Sequence, residues 1–125
     1  MKERYVRSAD RLSDDTVIVV RGGTLGSDDV LDDALAAFEV YGVYSISVFA
    51  IVDTTLDELA QRPPLVRFEQ LTLMTAGAIR QSGLRLVPTG RRKLHHSIEF
   101  DDLADGLRRL RLCEHRVVAN PYHVR

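Results

Sequence analysis

LRLVPTGRRKLHHSIEF, residues 84–100, reads as two strands joined by a loop too short for a parallel crossover, so this part of the chain forms an antiparallel pair. In the second strand, LHHSIEF, a period of two puts Leu94, His96, Ile98 and Phe100 on one face and His95, Ser97 and Glu99 on the other. The first face is the expected core face and the second a polar, half-exposed one. Pro88 removes a backbone donor, which marks the first strand as an edge or an end, and the loop between them carries Arg91, Arg92 and Lys93.

Upstream, DTVIVVRGG contains an unbroken β-branched run from Thr16 to Val20, expected to be a central strand buried on both faces and stopped by Gly22 and Gly23. Ser27 is positioned to cap a helix, Asp28 and Asp29 suit its positive end, and Leu31, Ala34, Leu35 and Phe38 recur at helical spacing until Gly42. YGVYSISVFAIV reads as a second strand, with Tyr44, Ile46 and Val48 alternating against Ser45, Ser47 and Phe49. Thr55 and Glu58 form a capping-box pair for a short helix that Pro63 and Pro64 terminate. LVRFEQLTLM then alternates well enough for a strand, with a helix left open, and Thr75 starts a short helix closed by Gly83.

Downstream, Asp101 or Asp102 caps a last helix through Leu103, Leu107 and Leu110, and Val117 with Val118 adds a short strand. The expected architecture is α+β: a single compact domain over residues 1–125, with a mixed sheet of about five or six strands and three or four short helices.

The formal charge of −1 conceals an asymmetry: residues 1–62 carry 6 Lys+Arg against 12 Asp+Glu, and residues 63–125 carry 11 against 6. The molecule as a whole is not a basic nucleic-acid binder, although a local basic site remains open to phosphate. No apolar run approaches the roughly 20 residues of a membrane span, and MKERYVRSAD lacks a signal-type apolar stretch, so a cytoplasmic protein without membrane contact is expected. One cysteine, Cys113, excludes an internal disulfide framework and a cysteine-rich zinc site. Phosphate loops of the GxxxxGK[ST] and GxGxxG types, HExxH, an EF-hand loop and a GxSxG elbow are all absent. Arg21-Gly22-Gly23 is either backbone punctuation or a ligand loop.

All four histidines, His95, His96, His115 and His123, fall in the last 31 residues with most of the basic surplus. His95, Ser97 and Glu99 on one strand face would offer an imidazole, a hydroxyl and a carboxylate beside Arg91, Arg92 and Lys93. Such groups can cut RNA without a metal, with a base for the ribose 2′-proton, cations for the phosphorane and an acid for the leaving oxygen. The plainer alternative is a strand whose polar residues face water, with His96 bonded to a backbone carbonyl. Adjacent histidines point to opposite faces, so no metal site is expected. His115, Tyr122 and His123 are auxiliary candidates, Tyr122 either stacking on a base or stapling the terminus to the sheet.

The chain resembles the small ribonuclease toxins of bacterial toxin–antitoxin systems, the RelE and barnase-like group, in size and in its basic, histidine-bearing C-terminal sheet. The resemblance implies an RNA hydrolase with Arg91, Arg92 and Lys93 on phosphate and His95 with Glu99 as base and acid, needing no cofactor. VVRGG, YSISVF and HHSIEF also resemble ADP-ribosyltransferases of the Arg, Ser, Glu type. That likeness implies that Arg21, Ser45 and Ser47 bind NAD and that Glu99 stabilises the oxocarbenium-like centre; Ser97 stands where many such enzymes carry a second Glu or Gln. A third expectation is non-enzymatic: an antitoxin-like or partner protein docking a basic protein on the acidic helix Ser27–Phe38, or pairing with its own copies.

Overall fold

The computed structural model describes residues 12–25, 28–90 and 94–123. The order is β1 (Val17–Gly22), α1 (Asp28–Tyr41), β2 (Tyr44–Ala50), α2 (Leu56–Ala60), a 3₁₀ turn (Leu65–Arg67), β3 (Gln70–Thr75), α3 (Ala76–Gln81), β4 (Arg85–Pro88), β5 (His95–Phe100), α4 (Leu103–Leu112) and β6 (Arg116–Ala119). The fold is α+β, one six-stranded sheet in the order β4-β5-β2-β1-β3-β6 with four α-helices. Every pairing is antiparallel, which corrects the mixed sheet expected from the sequence.

The β-branched run does form a central strand. Ile18, Val19 and Val20 are almost wholly buried, because one face of the sheet packs on a large cluster containing Ile18, Ile46, Val48 and Ile98, and the other on a smaller one containing Val19, Leu65, Leu71 and Leu73. Thr55, Thr75 and Asp102 each cap a helix by accepting from the backbone N–H three residues on. The expected cap of α1, Ser27, lies outside the described residues.

Two expected elements shift. LVRFEQLTLM is not one strand: Leu65–Arg67 form a 3₁₀ turn after the cis Pro63-Pro64 bond, and the strand begins only at Gln70. In α1 the buried residues are Val30 and Ala34, while Leu35 and Phe38 are each 44% exposed, Phe38 being stacked on Tyr44 with ring centroids 4.3 Å apart.

The sheet is not evenly zipped. The register of β1 with β2 runs only through Ile18↔Ala50 and Val19↔Phe49. Beyond Val19, β1 continues to pair with β3 as far as Gly22↔Leu71, and β2 continues to pair with β5 as far as Tyr44↔Phe100. The two central strands therefore splay apart. A β-bulge between Val19 and Arg21 lies where they part, adding an extra residue on β1 and re-aiming the arginine that follows.

Candidate functional site

The splay opens a cavity of about 520 Å³, within the range of roughly 300–1,000 Å³ usual for small-molecule sites. Arg21 comes from one side of the split, Ser45, Ser47 and Phe49 from the other, and Ser97 and His95 from β5 behind them. Thr89 and Gly90 close one end, Phe68 and Leu65 another, and Ala36 and Ala37 of α1 leave room by being small. Gly22 is required here, since a Cβ would lie 2.0 Å from Phe68 Cδ2.

The strand register explains the gathering. Ser47 faces Ser97, Ser45 faces Glu99 and Phe49 faces His95 across β2 and β5, so these side chains share one sheet face. Of the three β5 residues the alternation placed on it, His95 and Glu99 are half-buried and Ser97 is closed over. Ser45 and Ser97 are buried, and only Ser47 is exposed, at the mouth of the split.

The polar groups in the cavity are unevenly partnered among the described residues. Arg21 Nη1 donates to Asp33 Oδ2 at 3.3 Å, but Arg21 Nε is buried with no hydrogen-bond partner among the described residues. The Ser45 and Ser47 hydroxyls make no hydrogen bond among the described residues. Ser97 Oγ lies 2.8 Å from Thr89 Oγ1, and the His95 ring nitrogen Nδ1 is 2.9 Å from Thr89 O. A buried donor without an acceptor costs about 1–3 kcal/mol, a cost that a ligand can recover.

Glu99 stands one step further along β5 and does not line the cavity. Its carboxylate is 3.7 Å from Arg85 Nε, and Arg85 also makes two hydrogen bonds to Asp101, which with Glu99 hold its guanidinium above the ordinary arginine range. His95 and Glu99 are four residues apart on one strand, about 13 Å between their backbones at about 3.3 Å per residue, and only His95 lines the cavity. Arg91, Arg92 and Lys93 lie outside the described residues.

The auxiliary candidates are elsewhere. His115 is exposed, and its Nδ1 donates to Cys113 O at 2.7 Å. Tyr122 packs against the smaller core cluster as a staple, and His123 lies 4.0 Å from Glu69. His96 is buried, 3.3 Å from Leu94 O. Among the described residues no three His, Cys, Asp or Glu side chains are grouped to hold a metal ion, and no helix is long and apolar enough to cross a membrane.

The polar strand face was legible in the sequence. The importance of Asp33, Thr89, Gly90 and Phe68 was not, because each reaches the cavity through tertiary packing; Gly90 carried the one available signal, a glycine in a turn beside the histidine strand. No protein-family model, curated protein or solved structure matches the chain.

Proposed function

We propose that the chain binds NAD in the split between β1 and β2 and transfers its ADP-ribosyl group. One observation carries this reading: Arg21, Ser45 and Ser47, on two neighbouring strands, meet in one cavity, where a buried guanidinium N–H has no acceptor among the described residues. A guanidinium is suited to a diphosphate, which it can contact through two nitrogens at once. The Phe49 and Phe68 rings offer apolar surface to a flat heterocycle, and the serines offer donors to ribose or carboxamide oxygens.

Glu99, opposite Ser45, is the carboxylate that would face positive charge developing at C1′ as the bond to nicotinamide breaks. In that role its carboxylate turns from Arg85 toward the Ser45 hydroxyl. The ribonuclease alternative is less well supported, since its phosphate-binding residues Arg91, Arg92 and Lys93 lie outside the described residues.

The test is to incubate the purified protein with NAD labelled in its adenylate half and to follow nicotinamide release and label transfer. Arg21→Ala and Glu99→Gln should each lower release by about 10²–10³-fold, the usual cost of removing one electrostatic stabiliser. An intact NAD pool in the presence of the wild type would overturn the proposal. If RNA is cut instead, leaving 2′,3′-cyclic phosphate ends in the presence of EDTA, the ribonuclease reading takes its place. If neither substrate is touched, a salt-sensitive basic partner on the exposed acids Asp28, Asp29 and Asp32 of α1 becomes the reading to pursue.

A further inference from the structure

His95 is held in an orientation that the proposed use of the cavity does not by itself require. Its Nδ1 is 2.9 Å from the backbone oxygen of Thr89, and a carbonyl oxygen only accepts, so Nδ1 carries the proton and donates. Thr89 Oγ1, 3.0 Å from the same nitrogen, accepts a share of that bond and passes its own proton 2.8 Å to Ser97 Oγ. In the neutral ring the lone pair is therefore on Nε2, which makes no hydrogen bond among the described residues.

The ring is also fixed by packing. Gly90 has φ +74°, and a Cβ there would lie 3.0 Å from His95 Nδ1, so the turn wraps the imidazole as closely as a backbone without a side chain allows. On another side the Phe49 ring meets it edge-on, 5.9 Å between centroids and 86° between planes. A ring held so firmly, with a bare nitrogen and a place in the cavity wall, is arranged as a base.

We infer that His95 Nε2 takes the proton of the acceptor during ADP-ribosyl transfer and that the acceptor is a hydroxyl group; this rests on the NAD reading of the cavity. The acceptor oxygen forms its bond to C1′ while the C1′–N bond breaks and its electron pair leaves with nicotinamide. The hydroxyl proton passes to Nε2, giving an imidazolium whose Nδ1–H still points to Thr89 O. A cationic acceptor, guanidinium or ammonium, would meet the cationic Arg21, whose neighbour Asp33 is already engaged as its counter-charge. A carboxylate acceptor has no proton to surrender. Water or an alcohol needs the base that is present.

The charged and titratable side chains lining the cavity with His95, among the described residues, are Arg21 from β1 and Asp33 and Tyr41 from α1; Glu99 and Arg85 lie further along β5 and β4. Turnover is measured with NAD and glycerol as the model alcohol, scoring free ADP-ribose and the glyceryl adduct across pH. His95→Gln and His95→Ala should lower kcat by about 10²–10⁴-fold with NAD affinity little changed, and should remove the acid limb of the wild-type pH profile. Added imidazole should restore part of the rate to His95→Ala, which a merely structural role would not produce. Wild-type turnover that His95→Gln leaves intact, with its acid limb, overturns the role of His95 and leaves the NAD reading standing. No NAD turnover by the wild type overturns both.

Discussion

Asn120 shows how much one side chain can hold in place. It is buried, its Nδ2 donates to Ala60 O at 3.2 Å and to Leu65 O at 3.0 Å, and its Oδ1 accepts from the Tyr122 backbone at 3.0 Å. One amide thus joins the chain end to α2 and to the turn that forms part of the cavity wall. Asn120→Ala removes the side-chain donor from Ala60 O, while Leu65 O keeps the Phe68 backbone N–H, and should cost about 1–3 kcal/mol, readable by denaturant unfolding. Nothing local in the sequence names the two carbonyls, which come from residues 60 and 55 positions earlier. Cys113 is buried just past the end of α4, its Sγ donating to Glu114 O at 3.7 Å. Burial pushes its thiol up from the ordinary cysteine value, so it should react with a thiol reagent at neutral pH only as fast as the protein opens, and at once in denaturant.

Helix α4 illustrates packing against local preference. Alanine is a better helix former than glycine by about 1 kcal/mol, yet a Cβ at Gly106 would sit 2.1 Å from Phe100 Cδ2. Gly106→Ala should therefore destabilise the fold by about 1–3 kcal/mol, the usual cost of overpacking, and a rise in melting temperature would show that Phe100 can yield. On the outer face of α4, hydrogen bonds from Arg108 and then Arg109 hold the Asp105 carboxyl below the ordinary carboxylate range. A group whose folded pKa is depressed contributes stability above its unfolded value and loses it as pH falls through the folded one. The gap in melting temperature between wild type and Asp105→Asn should thus be present at neutral pH and close in acid. Element positions were legible from the sequence wherever a local rule applied, as with Thr55, Thr75 and Asp102 as caps and the alternation of β5. The rule failed at LVRFEQLTLM, where alternation continued across a turn, and in α1, where helical spacing identified apolar residues without showing which of them would meet the sheet.

Across the whole molecule, neither the strand order nor the split was written in any short stretch of sequence, because β1 finds both its neighbours through pairings to residues some thirty and more than fifty positions away. The charge asymmetry directed attention to the C-terminal half, whereas the cavity draws its arginine and two serines from the N-terminal half. Amide exchange should be slowest at Ile18 and Val19, flanked by strands on both sides, and fastest among the strands at the edge strand β6. The short register between β1 and β2 also has a mechanical meaning. The sheet consists of two leaves, β4-β5-β2 and β1-β3-β6, and the rungs at Ile18↔Ala50 and Val19↔Phe49 are the spine along which they are bound. A molecule seated between Arg21 and Ser47 would act as the missing rung, so that its arrival should slow exchange in strands on both leaves that it never touches.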